Sequence, residues 1–243
     1  MAVKRMRVFA GPNGSGKTTI FKGILNENKV NLGVYINADE IELFLRNSKC
    51  LDFSLFTIEV SKQEIIEFFK SSKFSPVKRN ELDLYKQLDV IDNVLYTDTF
   101  IDSYLAADLA EFIRLKLLNE GVSFTYETVM SHAQKIDFFK KAQIKGYKVY
   151  LYFVATEDPE INISRVNIRV AQQGHHVAPD VIKNRYFKSL NNLKEAVKQT
   201  DRAYIFDNSN EKAYLIAEIT NGMNVVINTS IQTPNWVAEY LSQ

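Results

Sequence analysis

"GPNGSGKTT", residues 11–19, follows the short apolar run "MRVFAG" and leads into "KTTIFKGILNEN". Gly11, Pro12, Asn13, Gly14, Ser15, Gly16, Lys17 and Thr18 satisfy the spacing G-x-x-x-x-G-K-[ST], and Thr19 comes directly after. Three glycines let the backbone curl so that successive N–H groups point into one concavity. That concavity opens onto a helix N-terminus, which carries partial positive charge. Phosphate oxygens fit there, with Lys17 reaching the β- and γ-phosphates and the Thr18 hydroxyl ligating Mg²⁺. The alternative is a plain glycine-rich turn, and context separates the two, because a phosphate loop needs a strand before it and a helix after it. "MRVFAG" is short, β-branched and aromatic, and Ile20, Ile24 and Leu25 fall on one helical face of the following segment.

The 243 residues are enough for a full core, and one domain spanning 1–243 with an insertion is the first expectation. At 46% hydrophobic and 24% charged, the composition is that of an ordinary globular protein. A net charge of +1 argues against a broad electrostatic grip on nucleic acid or an anionic membrane. The single cysteine, Cys50, excludes an internal disulfide and suits a reducing compartment. The apolar run of "MAVKRMRVFAG" is too short for a secretory signal, and "VYLYFVA" (149–155) has strand length, not membrane-spanning length. These features predict a cytoplasmic protein with no membrane association.

Outward from the loop, "GVYIN" (33–37) reads as a strand and "DEIELFLR" (39–46) as a helix. Helical periodicity covers 55–72, "KFSPVKRN" (73–80) breaks it, and "ELDLYKQLDVIDNVLY" (81–96) resumes it. A long helix over 99–121 ends at Gly121, so 48–119 reads as a helical insertion. "SFTYETV" (123–129) is then a strand, 133–146 a helix closed by Gly146, and "YKVYLYFVAT" (147–156) a buried strand. A helix follows over 158–173 with Asp158 as N-cap, then "GHHVAP" interrupts, and a second helix covers 180–200. "RAYIFDNS" (202–209), "AYLIAEITNG" (213–222) and "NVVIN" (224–228) are strands, with a short helix around Trp236. This alternation predicts an α/β fold: a mostly parallel sheet with helices on both faces, a helical insertion, and a lid over about 158–190.

Charged residues decide which phosphate chemistry the loop serves. Asp39 follows the second strand, where it either accepts a proton from an attacking hydroxyl or caps the helix that starts there. Glu127, at a strand end, either orients a substrate hydroxyl or a Mg²⁺-bound water, or is a partly solvated strand end. Arg165 and Arg169 lie four residues apart on one helical face, and Arg185 stands on the next helix. They make either a lid that stabilises a transferring phosphoryl group or a solvated basic face. His175 and His176 point different ways, and His132 is the one further histidine, so zinc is not expected and a lid-turn or substrate role is. "DNS" (207–209) marks a place where backbone passes the adenine.

"GPNGSGKTT", "YINADEI", "ETV" and "RVNIRVAQQGHHVAPDVIKNRYFKSLNNL" together resemble the zeta-toxin superfamily of P-loop kinases, in particular its compact branch. The resemblance covers roughly 5–47 and 121–209. It implies a nucleoside-monophosphate-kinase-like fold, ATP and Mg²⁺ as cofactors, and an acceptor hydroxyl on a small molecule. UDP-N-acetylglucosamine is the family's best-known acceptor, and an antitoxin its characteristic partner. By motif, the resemblance puts Lys17 and Thr18 on nucleotide and metal and makes Asp39 the base. It puts Glu127, Thr128 and Arg165 on the substrate side and matches Arg169 and Arg185 to the lid arginines. Residues 48–98 exceed the matching stretch of compact members.

Two other readings remain. A nucleic-acid or nucleoside hydroxyl as acceptor needs a basic groove with aromatic residues, for which "KFSPVKRN" is the local candidate. A nucleotide-gated protein-binding ATPase would instead use the inserted segment to hold a partner.

Overall fold

The computed structural model describes residues 3–26, 30–71, 87–98, 101–171 and 177–241. The chain divides into two compact units, one of residues 1–33 and 125–243, the other of residues 34–124.

The first unit opens with β1 (Arg5–Ala10) and α1 (Lys17–Asn26). β1 is buried along nearly its whole length, as a strand covered on both faces must be. In α1 the buried residue is Phe21, set edge-on to Phe9 with ring centroids 5.4 Å apart. Leu25, expected on the inner face with Ile20 and Ile24, is 46% exposed. The aromatic ring fills the space over Phe9, and the helix turns Leu25 outward.

The second unit begins with β2 (Val34–Ile36) and α2 (Ala38–Ser48). β3 (Cys50–Asp52), a 3-10 turn (Phe53–Phe56) and α3 (Lys62–Ser71) come next. The sequence pattern placed helix over 81–96; residues 81–86 lie outside the described ones, and 88–97 is a hairpin of β4 (Leu88–Ile91) and β5 (Val94–Thr97). Asp92 and Asn93 both take positive φ, 49° and 66°, which is the backbone of a tight two-residue turn. Alternation in "LDVI" and "VLYT" also satisfied helical spacing, and turn chemistry decided the outcome. β5 pairs antiparallel with both β3 and β4. Asn93 then holds the chain before α3, with its amide donating to Ile58 O at 2.9 Å and accepting from the Val60 N–H at 2.8 Å. α4 (Ser103–Glu120) packs on α2. Asp102 caps α4 by accepting from the N–H groups of Tyr104 and Leu105, and Gly121, at φ 76°, ends it as expected.

The chain returns to the first unit in β6 (Phe124–Thr128) and continues through α5 (Gln134–Ile144) and β7 (Lys148–Ala155). α6 (Pro159–Ala171) and α7 (Pro179–Asn191) follow. The single helix expected over 180–200 breaks at Asn192, giving a separate α8 (Leu193–Lys198). β8 (Arg202–Asp207), β9 (Tyr214–Thr220), β10 (Asn224–Ile227) and α9 (Asn235–Leu241) complete the chain. Within this unit the strands run in the order β10-β9-β8-β7-β1-β6. β7 lies parallel to both β1 and β8, while β9 and β10 are antiparallel additions at one edge. The sheet is α/β and mostly parallel, as the alternation of elements predicts. One sheet face carries a ladder in which Tyr152 stacks between Phe9 and Tyr204, centroids 4.5 and 5.0 Å away.

Parallel pairing brings the carboxyl ends of β1, β7 and β8 side by side, with Ala10 opposite Phe153 and Ala155 opposite Asp207. The loop after β8 is secured from below. Buried Asp207 accepts the Trp236 indole N–H at 2.8 Å and the Ser209 hydroxyl at 2.9 Å, and Trp236 packs near Phe153. Trp236→Phe keeps a packed ring but takes one donor from a buried carboxylate. It is expected to cost about 1–3 kcal/mol, read as a lower urea midpoint by circular dichroism, because this is the chain's single tryptophan.

Candidate functional site: the phosphate loop and its supports

The loop connects β1 to α1, so its residues sit at the carboxyl end of a central parallel strand, where α/β proteins bind ligands. Gly11, Gly14 and Gly16 take φ of 138°, 75° and 96°. A side chain on Gly11 would meet the Val154 carbonyl oxygen at 2.0 Å, one on Gly14 the Asn162 carbonyl oxygen at 2.5 Å, and one on Gly16 the Asn208 amide at 2.2 Å. All three positions therefore demand glycine on two counts, conformation and space.

Lys17 folds back over the loop, donating to Gly11 O at 3.0 Å and Pro12 O at 2.9 Å. Ser15 is fully buried, and its hydroxyl has no hydrogen-bond partner among the described residues. Thr19 lies on the exposed side of α1. The Thr18 hydroxyl donates to Glu127 Oε2 at 3.0 Å, so two residues 109 positions apart form one oxygen-rich corner. Adjacency of β6 to β1 produces that contact, and the Gly11 N–H donates to Thr128 O at 3.2 Å across the same pair. The Thr128 hydroxyl accepts the Met130 N–H at 3.1 Å, shaping the turn after β6. A hydroxyl and a carboxylate suit a hard cation such as Mg²⁺, and the loop's N–H groups and ammonium suit phosphate oxygens. The donor set fits both groups.

Arg165, expected on the substrate side, donates from Nη1 to Asn208 O at 2.7 Å and from Nη2 to Asn210 O at 3.2 Å. Its helix thereby holds the "DNS" loop. Arg169 is exposed one turn further on, and Arg185 is half-buried on α7. α6 packs against α7 and the residue Val177 just before it through Val166 and Ile182, flanked by Ile163, Val170 and Val181. Asp158 accepts the Glu160 N–H at 2.8 Å, in keeping with its expected place at the start of α6. His175 and His176, with Gly174 of the "GHHVAP" turn, lie outside the described residues, as does "KFSPVKRN".

Asp39 belongs to the second unit, in the first turn of α2. The cap of that helix is Asn37, whose side chain accepts the Asp39 N–H at 3.0 Å and donates to the Tyr35 hydroxyl at 2.9 Å. Capping is thus done by the residue two before Asp39, and the Asp39 carboxylate is exposed.

Asn162 and Tyr186 escaped the sequence reading, and Asn208, inside the "DNS" stretch it marked, makes a contact it did not foresee. Asn162, fully buried on α6, donates to Asn13 O at 2.6 Å and accepts the Thr156 hydroxyl. Asn208 donates to Ser15 O at 2.8 Å. The Tyr186 hydroxyl donates to Thr156 O at 2.6 Å, and burial, followed by the nearby carboxylates Glu157, Asp158 and Asp207, pushes its pKa far up. An asparagine inside a helix, where it is a weak former, was the available signal for Asn162.

A model of the Zeta toxin family matches residues 84–219. That range contains Glu127, Thr128, Arg165, Arg169 and Arg185, while the phosphate loop and Asp39 precede it. An uncharacterised protein of Haemophilus influenzae is 32% identical over 69 residues, 28% of this chain, which spans about half (49%) of that relative. Among solved structures, the PezAT chromosomal toxin–antitoxin system of Streptococcus pneumoniae shares 16% identity, with 100% of this chain and 80% of that one covered and a TM-score of 0.54. The AvrRxo1-ORF1:AvrRxo1-ORF2 structure with sulphate ions shares 13% identity, covering 94% of this chain and 62% of that one, at a TM-score of 0.55. These likenesses show the fold, and the family match extends over more than half of the residues. The chain belongs to the Zeta toxin family.

Proposed function

We propose that this protein is an ATP-dependent kinase that moves the γ-phosphoryl group of ATP to a hydroxyl of a small molecule. The carrying observation is the contact of Thr18 with Glu127 beside a loop that Lys17 folds over and that tolerates no side chain at its glycines. The resemblance makes UDP-N-acetylglucosamine or a related sugar nucleotide the candidate acceptor. Likeness to toxin–antitoxin structures, and to an AvrRxo1 complex described with ATP, supports a nucleotide-using toxin with an antitoxin partner.

In this reading the loop N–H groups and Lys17 hold the β- and γ-phosphate oxygens, while Thr18 and Glu127 hold the metal. Bound Mg²⁺ supplies charge neutralisation on the phosphate oxygens. Asp39 takes the proton of the acceptor hydroxyl, whose oxygen forms the new bond to the γ-phosphorus. The bond to the β–γ bridging oxygen breaks, and ADP leaves with that electron pair. Arg169 and Arg185 stabilise charge on the transferring group. Support for Asp39 comes from its place, exposed, in the first turn of the helix that follows β2.

Asp39→Asn is expected to lower acceptor-dependent ADP release by at least about 100-fold while the Kd for a fluorescent ATP analogue stays within about twofold. The assay supplies Mg²⁺ and a panel of UDP-sugars, nucleosides and short oligonucleotides. Wild-type turnover in the variant would remove Asp39 from the role of base.

Glu127→Gln still accepts the Thr18 hydroxyl but withdraws one negative charge from the metal corner. The Mg²⁺ concentration for half-maximal turnover is expected to rise about tenfold, roughly 1.4 kcal/mol of metal affinity, with melting temperature little changed. A Mg²⁺ titration of steady-state turnover in both proteins reads this directly.

A further inference from the structure

A loop that binds phosphate must point its N–H groups inward, which turns the carbonyls of the same peptides outward. Outward carbonyls packed against protein need donors of their own, or the loop relaxes toward conformations that aim oxygen at the ligand. Here the carbonyls of Asn13 and Ser15, two residues apart, each meet the side-chain amide of an asparagine from a different element. Asn162 donates to the first at 2.6 Å and Asn208 to the second at 2.8 Å. Neither residue belongs to the loop motif.

Each amide is itself held. Thr156, fully buried at the end of β7, donates its hydroxyl to Asn162 Oδ1, so the amide presents Nδ2 to Asn13. The Thr156 carbonyl in turn accepts the Tyr186 hydroxyl from α7. Asn208 is fixed through its main chain, its N–H donating to Ala155 O at 2.8 Å and its carbonyl accepting Arg165 Nη1 at 2.7 Å. Contact at Gly14 and Gly16 leaves no slack, since a single added carbon would strike Asn162 O or Asn208 Nδ2.

The geometry points to Asn162 and Asn208 as positioning residues that hold the Asn13 and Ser15 carbonyls outward and so set the loop's affinity for the nucleotide phosphates. Arg165 acts with them, through the Asn208 carbonyl and not through a reacting group. The inference rests on the ATP reading above. It adds that residues on α6 and after β8, out of reach of the motif, tune phosphate binding.

The test uses the full chain with Asn162→Ala, Asn162→Asp, Asn208→Ala, Thr156→Val and, as a control on the exposed side of α6, Asn167→Ala. Kd is measured for ATP and inorganic tripolyphosphate, steady-state ATP hydrolysis gives KM and kcat, and melting temperature monitors folding. Asn162→Ala and Asn208→Ala are expected to weaken ATP and tripolyphosphate about tenfold. Asn162→Asp is expected to weaken them further, because a carboxylate faces the Asn13 carbonyl. KM for ATP should rise by the same factor with kcat within about threefold, a split that a loss of folded protein does not produce. Thr156→Val, close to Thr in size, should weaken both ligands by about threefold to fivefold and decides the matter if the Asn162 variants do not fold. Asn167→Ala should match wild type. ATP binding by wild type with unchanged Kd and KM in the folded variants would overturn the inference. So would a fall in kcat alone. A wild-type chain that binds neither ATP nor tripolyphosphate would overturn the nucleotide reading itself.

Discussion

Close backbone approach at Gly11, Gly14 and Gly16 is the constraint on which the first unit depends. The phosphate loop is pressed against the end of β7, the first turns of α6 and the residue after β8, at distances that exclude even a methyl group. Left-handed φ at each glycine curls the chain there, and contact on three sides keeps it curled. Removing any one support would leave loop carbonyls free to turn, so local conformation and tertiary packing state the same requirement.

Strand order explains how distant residues meet at this loop. β1 lies between β7 and β6, so its carboxyl end has a parallel neighbour leading into α6 on one side and Glu127 on the other. β8, next beyond β7, delivers Asn208, and the Asp207–Trp236 bond anchors that loop from the C-terminal helix. Thr18 and Glu127 are far apart in sequence, yet one step across the sheet joins them. Chemistry on one short loop is thereby tied to the ends of four strands.

The second unit is organised by different physics. Its three-stranded antiparallel sheet turns on Asp92 and Asn93, and Asn93 also fastens the segment that enters α3. Phe53 and Phe112 approach at 6.0 Å and Phe68 and Phe112 at 5.3 Å, giving this unit an aromatic core of its own. Asn37 caps α2, which leaves the Asp39 carboxylate in an exposed first turn where the helix dipole favours negative charge.

Much of the site was legible in the chain because motif residues are contiguous. Glycine spacing, Lys17 and Thr18 declare a phosphate loop wherever a strand precedes and a helix follows, and the α/β alternation around them is strong. The stretch at 88–97 misled, since its apolar spacing satisfies both periods and only the Asp92-Asn93 turn separates them. Ile20, Ile24 and Leu25 announced a helical face correctly in kind, but which residue faces inward was settled by Phe21 meeting Phe9. Sequence by itself therefore determined the loop's glycine spacing and the alternation of elements around it. Only tertiary structure decided that Arg165 binds main-chain carbonyls, that Glu127 meets Thr18, and that Asn162 and Asn208 hold the loop. Each of those contacts spans dozens of residues or more, and a hydrogen bond needs its partner within about 3 Å, a distance that strand order sets and local sequence does not.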